Sequence, residues 1–153
     1  MIIDGADGDT HINIYPQGKT CLGRWLSNFT HEPITIEGDG YFPSIESYWY
    51  FLRSNGDPRF HKVSGFSAKS LGKTLCDDHK QIDAKFIEKI KHALDLKIKV
   101  NKNIMCKFAD SELPFCHYYV FGDKRHDAGY EWIIEHFELR RKQLKEYYGR
   151  NYS

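Results

Sequence analysis

No apolar run in the 153-residue chain extends beyond a few positions, so a membrane-spanning helix, which needs about 20 such residues, is excluded. The first nine residues, Met1-Ile-Ile-Asp-Gly-Ala-Asp-Gly-Asp9, lack the basic stretch that opens a signal peptide, and a cytoplasmic location is the expectation. Cysteine is sparse. Cys21, Cys76, Cys106 and Cys116 form no CxxC pair, and His117 beside Cys116 lacks the paired spacing of a zinc site. Four reduced thiols and no metal are therefore expected. The familiar phosphate and catalytic signatures are missing as well. Leu71-Gly-Lys-Thr74 has the end of a phosphate-binding loop, but Ser67 stands where the loop requires its first glycine. Asp4, Asp7 and Asp9 have no closing glutamate, which counts against a calcium loop. HExxH and GxSxG are absent.

What the chain has in quantity is aromatic residues: ten Tyr, ten Phe and three Trp, or 15%. Rings of this kind fill cores or stack on flat ligands, and composition alone leaves both uses open. The net charge of +1 hides an uneven distribution. Residues 1–57 hold eight acids against three bases, whereas residues 85–107 hold seven lysines against Glu88 and Asp95. That lysine cluster is either a solvated helix face or a surface that attracts phosphates, DNA included.

Periodicity predicts a helix-rich α+β single domain over 1–153 with a few short strands that do not alternate as βαβ units. His11–Tyr15 alternates and reads as a strand, and 34–36 with 41–42 flank the glycine-rich turn of a hairpin. Ser44 caps a helix from Ile45 to about Arg53, which Asn55-Gly-Asp-Pro58 ends. A short helix over 67–71 is expected to stop at Gly72. The clearest amphipathic helix starts at Asp83, with Phe86, Ile87, Ile90, Leu94 and Ile98 on one stripe and lysines opposite. A short helix holds Ile104, Met105 and Phe108. Tyr118-Tyr-Val-Phe121 reads as a buried strand, and a last helix runs from about Tyr130 to Tyr148, with Gly149 as its stop.

Three stretches carry candidate chemistry: Trp25-Leu-Ser-Asn-Phe29, Tyr41-Phe-Pro-Ser-Ile-Glu-Ser-Tyr-Trp-Tyr-Phe-Leu-Arg53, and Phe121-Gly-Asp123. Each has an ordinary structural reading. Glu46 in a first helical turn is stabilised by the helix dipole, while Ser27-Asn28 and Gly122-Asp123 are common turn chemistry. Against the first stands the aromatic company of Glu46, because a carboxylate among Tyr48, Trp49 and Phe51 needs a partner or a substrate.

Taken in order, Ser27-Asn-Phe29, Pro43-Ser-Ile-Glu-Ser-Tyr48, Phe121-Gly-Asp123 and Phe137-Glu-Leu-Arg140 resemble the YbiA-like N-glycosidases, also called the NADAR family, over nearly the whole chain. The resemblance implies a small helix-rich α+β fold and hydrolysis of an N-glycosidic bond without metal or cofactor. It implies either riboflavin-pathway ribosyl-phosphate intermediates as substrate or ADP-ribose on guanine, a DNA-borne form engaging the lysine face. By motif, Glu46 is the catalytic carboxylate and Asp123 assists. Ser27, Asn28, Phe29, Trp49, Arg53, Lys73, Phe121 and Gly122 line the substrate site, with Arg53 or Lys73 on a phosphate and Trp25, Trp49 or Phe121 stacking on the base. Ser47, Ile82, Phe121, Lys124 and Tyr130 depart from the family's usual His, Trp, Trp, Gly and Asn, so a non-catalytic module that binds an ADP-ribose-like ligand is the alternative. The helix dipole is expected to hold Glu46 ionised, as a base or a cation stabiliser.

Overall fold

Among the described residues the strands are short, and six α-helices supply most of the scaffold. The computed structural model describes residues 4–76, 82–122 and 124–152. In chain order its elements are β1 (Ile12–Asn13), α1 (Cys21–Leu26), β2 (Ile34–Ile36), β3 (Gly40–Phe42), α2 (Ile45–Arg53), α3 (Gly65–Leu75), α4 (Ala84–Lys99), α5 (Lys102–Asp110), β4 (Phe115–Cys116), β5 (Tyr118–Phe121), β6 (Lys124–Asp127) and α6 (Glu131–Tyr152). This is the helix-rich α+β architecture expected, with three separate two-stranded sheets. Among the described residues no helix is long and apolar enough to cross a membrane. The chain forms two compact units, Met1–Ser27 with Asn101–Ser153, and Asn28–Val100.

In the first unit β1 lies parallel to β4, with Ile12 opposite Phe115 and Asn13 opposite Cys116. The strand expected over 11–15 shrinks to two residues because the chain turns away, with the Tyr15 amide bonding Gly23 O on α1 at 3.3 Å. Helix α1 itself escapes the periodicity argument: it has six residues and a central glycine. That glycine is required, since a Cβ at Gly23 would lie 2.2 Å from the Asn13 carbonyl oxygen. Of the N-terminal aspartates, Asp7 serves the backbone. Asp7 is buried and accepts from the amides of Asn13 (3.0 Å) and Lys19 (2.9 Å). Asn13 in turn makes a two-way amide pair with the Tyr118 backbone, at 2.9 and 3.0 Å.

Glu138, within the Phe137-Glu-Leu-Arg140 run, forms a clamp with Arg141, the residue just after that run. Arg141 is buried, donates to Ser111 Oγ, Leu113 O and Glu138 Oε2, and sits over the Phe115 ring with its guanidinium 4.2 Å from the centroid. The other Glu138 oxygen accepts from the Phe115 amide. A buried cation needs this many partners, and together they tie α6 to β4. Helix α6 continues through Gly149 to Tyr152 rather than stopping there.

Ahead of α6, Tyr130 has φ +55, a left-handed conformation that costs a residue with a Cβ roughly 1–2 kcal/mol and that asparagine tolerates better. Tyr130→Asn is therefore expected to raise Tm slightly, by up to about 1 kcal/mol of stability, less the edge contact with Trp132 at 6.4 Å. A fall in Tm would mean that the ring contributes more than the strain takes away.

The second unit opens with the β2–β3 hairpin, which pairs Ile34 with Phe42. Helix α2 follows at the expected bounds: Ser44 Oγ accepts from the Ser47 amide, and Asn55 (φ 59) and Gly56 (φ 87) turn the chain left-handed at its end. The Gly56 amide reaches back to Phe51 O at 2.9 Å, the 6→1 bond of a Schellman stop. Helix α3 runs the full length of 65–75, four residues past the expected stop. Gly72 is interior and buried, and its missing side chain is what lets the Tyr50 ring lie on α3. Helix α4 starts at the Asp83 cap, whose carboxylate accepts from the Phe86 amide at 2.8 Å.

Candidate functional site

A helix begins with amides that lack intrahelical acceptors, and at α2 two of these, on Glu46 and Ser47, find specific partners. The Glu46 amide donates to Asn28 O at 2.9 Å, so the Asn28-Phe29 segment is fastened to the turn that carries the carboxylate. The Ser47 amide donates to the Ser44 cap. Ser47, one of the departures from the resembled pattern, has its hydroxyl fully buried, bonded to Ser44 Oγ at 2.8 Å and donating to Val63 O. It holds the approach to α3 in place and is turned to structure rather than to solvent. The Gly65 amide completes the knot at Ser44 Oγ, 3.4 Å away.

Glu46 is only 8% exposed. Burial is the dominant influence on its carboxyl and pushes its pKa up to about 7, against the pull of the Lys69 and Arg53 cations. The helix dipole expected to hold the group ionised is not the dominant influence: loss of water outweighs a terminal dipole worth under about 1 kcal/mol at exposed sites, so the carboxyl is only partly ionised near neutral pH. A carboxyl with its pKa near neutrality can exchange a proton at physiological pH, the property a general base or acid requires.

The surroundings of Glu46 within this unit are aromatic and cationic. The Phe29 ring meets Phe66 with centroids 4.8 Å apart, and Lys69 Nζ lies 5.6 Å from the Phe29 centroid. Arg53, in the last turn of α2, is half-buried. Lys73 is exposed one turn beyond Lys69, and Lys69 is the α3 lysine whose charge bears on Glu46. Phe66, Lys69 and Lys73 share the i, i+3, i+7 spacing of one helix face. That signal was present in the sequence but hidden by starting the helix too late.

Of the other expected site residues, Trp49 is taken up by packing and the rest belong to the first unit. Trp49 is 5% exposed and packs edge-on against Phe86, with centroids 4.7 Å apart, so its ring is committed to the core rather than to stacking on a base. Ser27 is buried in the first unit, where it closes α1. Phe121 and Gly122 also belong to that unit, at the tip of the β5–β6 hairpin. The expected buried strand is buried at only one end: Tyr118 is fully buried, but Phe121 is 77% exposed opposite Lys124, and Gly122 makes the turn at φ +63. Asp123 lies outside the described residues. The lysines of 85–107 do not form one face. Lys97 is 1% exposed, its ammonium pushed down to about 7 by burial with Glu32 acting against the shift, and Lys89 pairs with Asp39 at 3.6 Å. Among the described residues no cluster of His, Cys, Asp and Glu has the makings of a metal site.

The fold is similar to that in the NMR structure of the E. coli protein YbiA, with a TM-score of 0.63 at 20% identity over 90% of this chain and 86% of that one. The fold is YbiA-like. No family model matches the chain, and no curated protein matches it either. In this YbiA-like chain the turn of the buried carboxylate is bonded to Asn28, the charges of Lys69 and Arg53 bear on the carboxylate, and Lys69 stands beside the Phe29–Phe66 ring pair.

Proposed function

We propose that the protein is an N-glycosidase that hydrolyses the C–N bond of a ribosyl-phosphate conjugate, with Glu46 as its catalytic carboxylate. The observation that carries this is Glu46 itself: a buried carboxyl raised to about 7 between two cations, at the position the family resemblance gives to the catalytic acid group. A structural glutamate would gain nothing from this setting, because burial works against its charge.

Cleaving a ribosyl C–N bond builds positive charge at C1, as in O-glycoside hydrolysis. Ionised Glu46 stabilises that charge and takes a proton from the attacking water. The water oxygen bonds to C1, the C–N pair of electrons leaves with the heterocycle, and a proton ends on the leaving nitrogen. Asp123 is the proposed donor or ribose ligand, and Arg53 and Lys69 are the cations proposed to hold a 5′-phosphate, with Lys73 one turn further along α3.

Of the two substrate types implied by the resemblance, riboflavin-pathway intermediates are preferred to ADP-ribosylated guanine in DNA, since the burial of Lys97 and the pairing of Lys89 break up the lysine face a strand would use. The test is hydrolysis of a pyrimidine ribosylamine 5′-phosphate and of an ADP-ribosylated guanine oligonucleotide, read by chromatography of the released sugar. Release from the first, lost in Glu46→Gln, is expected. Release from the oligonucleotide alone would reverse the substrate assignment, and tight binding of either compound with no release would replace the enzyme by a ligand-binding module.

A further inference from the structure

We propose that the exposed ring of Phe66, backed by Phe29, is the stacking platform for the flat heterocyclic leaving group of the N-glycoside, and thus the residue that selects leaving groups. This rests on the N-glycosidase reading.

Phe66 is 64% exposed, so its contact with Phe29 covers the smaller part of its surface. A phenylalanine left in water in the first turn of a helix forfeits the gain of burial, and its position here is held by design of the backbone. Gly65 has φ +54, a conformation that suits glycine, and a Cβ there would press on Phe29 O at 3.3 Å. With the Gly65 amide on Ser44 Oγ, the first turn of α3 is pinned both to the segment bearing Phe29 and to the cap of the Glu46 helix. Lys69, one turn along α3, stands beside the Phe29 ring and acts on Glu46. An aromatic face, a cation and the buried carboxylate are therefore neighbours within one unit.

Two rings make a patch far smaller than the roughly 800 Å² each partner contributes to a protein interface. They match a single flat heterocycle, which any aromatic face accepts because every base has a π surface. Trp49, the other candidate in this unit, is buried.

Binding to the Glu46→Gln protein separates the possibilities. The probes are the same two N-glycosides, with ribose 5-phosphate as a control that has no base. Phe66→Ala is expected to weaken binding of the cleaved class of N-glycoside about tenfold or more, the size of one lost base–aromatic stack, and to leave ribose 5-phosphate unaffected. Phe66→Trp is expected to restore affinity. Unchanged binding in Phe66→Ala, an equal loss for ribose 5-phosphate, or no binding of either N-glycoside would each overturn the platform. Glu46-dependent hydrolysis that ignores Phe66→Ala would leave the glycosidase standing without it. Phe66-dependent binding with no hydrolysis would remove the enzyme and keep the ligand site.

Discussion

Glu46→Gln is expected to abolish hydrolysis and at the same time make the protein more stable in mild alkali. The folded pKa of about 7 lies above the 4.5 of a glutamate in water. Folding therefore favours the protonated carboxyl: its stabilising contribution is complete below pH 4.5 and is lost as pH rises towards 7. At 1.36 kcal/mol per unit, this shift corresponds to roughly 3 kcal/mol of burial cost carried by the wild type above pH 7. Glutamine has nearly the same shape and no charge, so the variant avoids most of that cost. Urea midpoints at pH 4 should be similar for the two proteins, and at pH 8 the variant should be ahead by about 2–3 kcal/mol. Parallel pH dependences would mean that Glu46 is solvated in the folded state. A stabilising substitution that removes activity is the pattern of a residue kept for chemistry.

Gly72→Ala is expected to destabilise strongly, although the same change in an exposed helix interior stabilises by about 1 kcal/mol. A Cβ at position 72 would lie 2.2 Å from Tyr50 Cδ1, 2.3 Å from Cγ and 2.6 Å from Cε1. Those atoms are near the root of a buried ring that also stacks on Phe60, with centroids 6.1 Å apart, so the ring cannot swing clear. Helix α3 must move off α2, at a cost of about 1–3 kcal/mol or more. For a chain of this size that is a fall in Tm of roughly 3–10 °C. Because α3 carries Phe66 and Lys69, substrate affinity should fall with it. Combining Gly72→Ala with Tyr50→Leu should recover part of the loss by giving the methyl room. An unchanged or raised Tm for the single variant would contradict the close α2–α3 packing.

The sequence was most legible where local chemistry and tertiary packing agree. Ser44, the aromatic face after it and Asn55-Gly56 each mark α2 independently, and its bounds follow. Asp83 and the apolar stripe behind it do the same for α4. Legibility failed where a glycine has a packing role instead of a terminating one. Gly23 lies inside α1 because β1 approaches it, and Gly72 lies inside α3 because Tyr50 does. Neither reason is visible along the chain. Strand β6, Lys124–Asp127, has no apolar alternation at all and exists through its register with β5. At the site, position was easier to read than chemistry. Glu46 stood out among aromatic neighbours, but the sign of its pKa shift depended on how completely the fold removes water, which a terminal-dipole argument does not contain. Lys97 shows the same gap: a lysine counted to a basic face is in the core.

The most direct test of Glu46 as the catalytic carboxylate is kcat/KM from pH 5 to 9 for the N-glycoside the wild type cleaves. The rate is predicted to rise with pH through an inflection near 7, as the buried carboxyl ionises, with no activity in Glu46→Gln at any pH. A rate that falls through pH 7, a profile without that inflection, or no cleavage of either N-glycoside would contradict it.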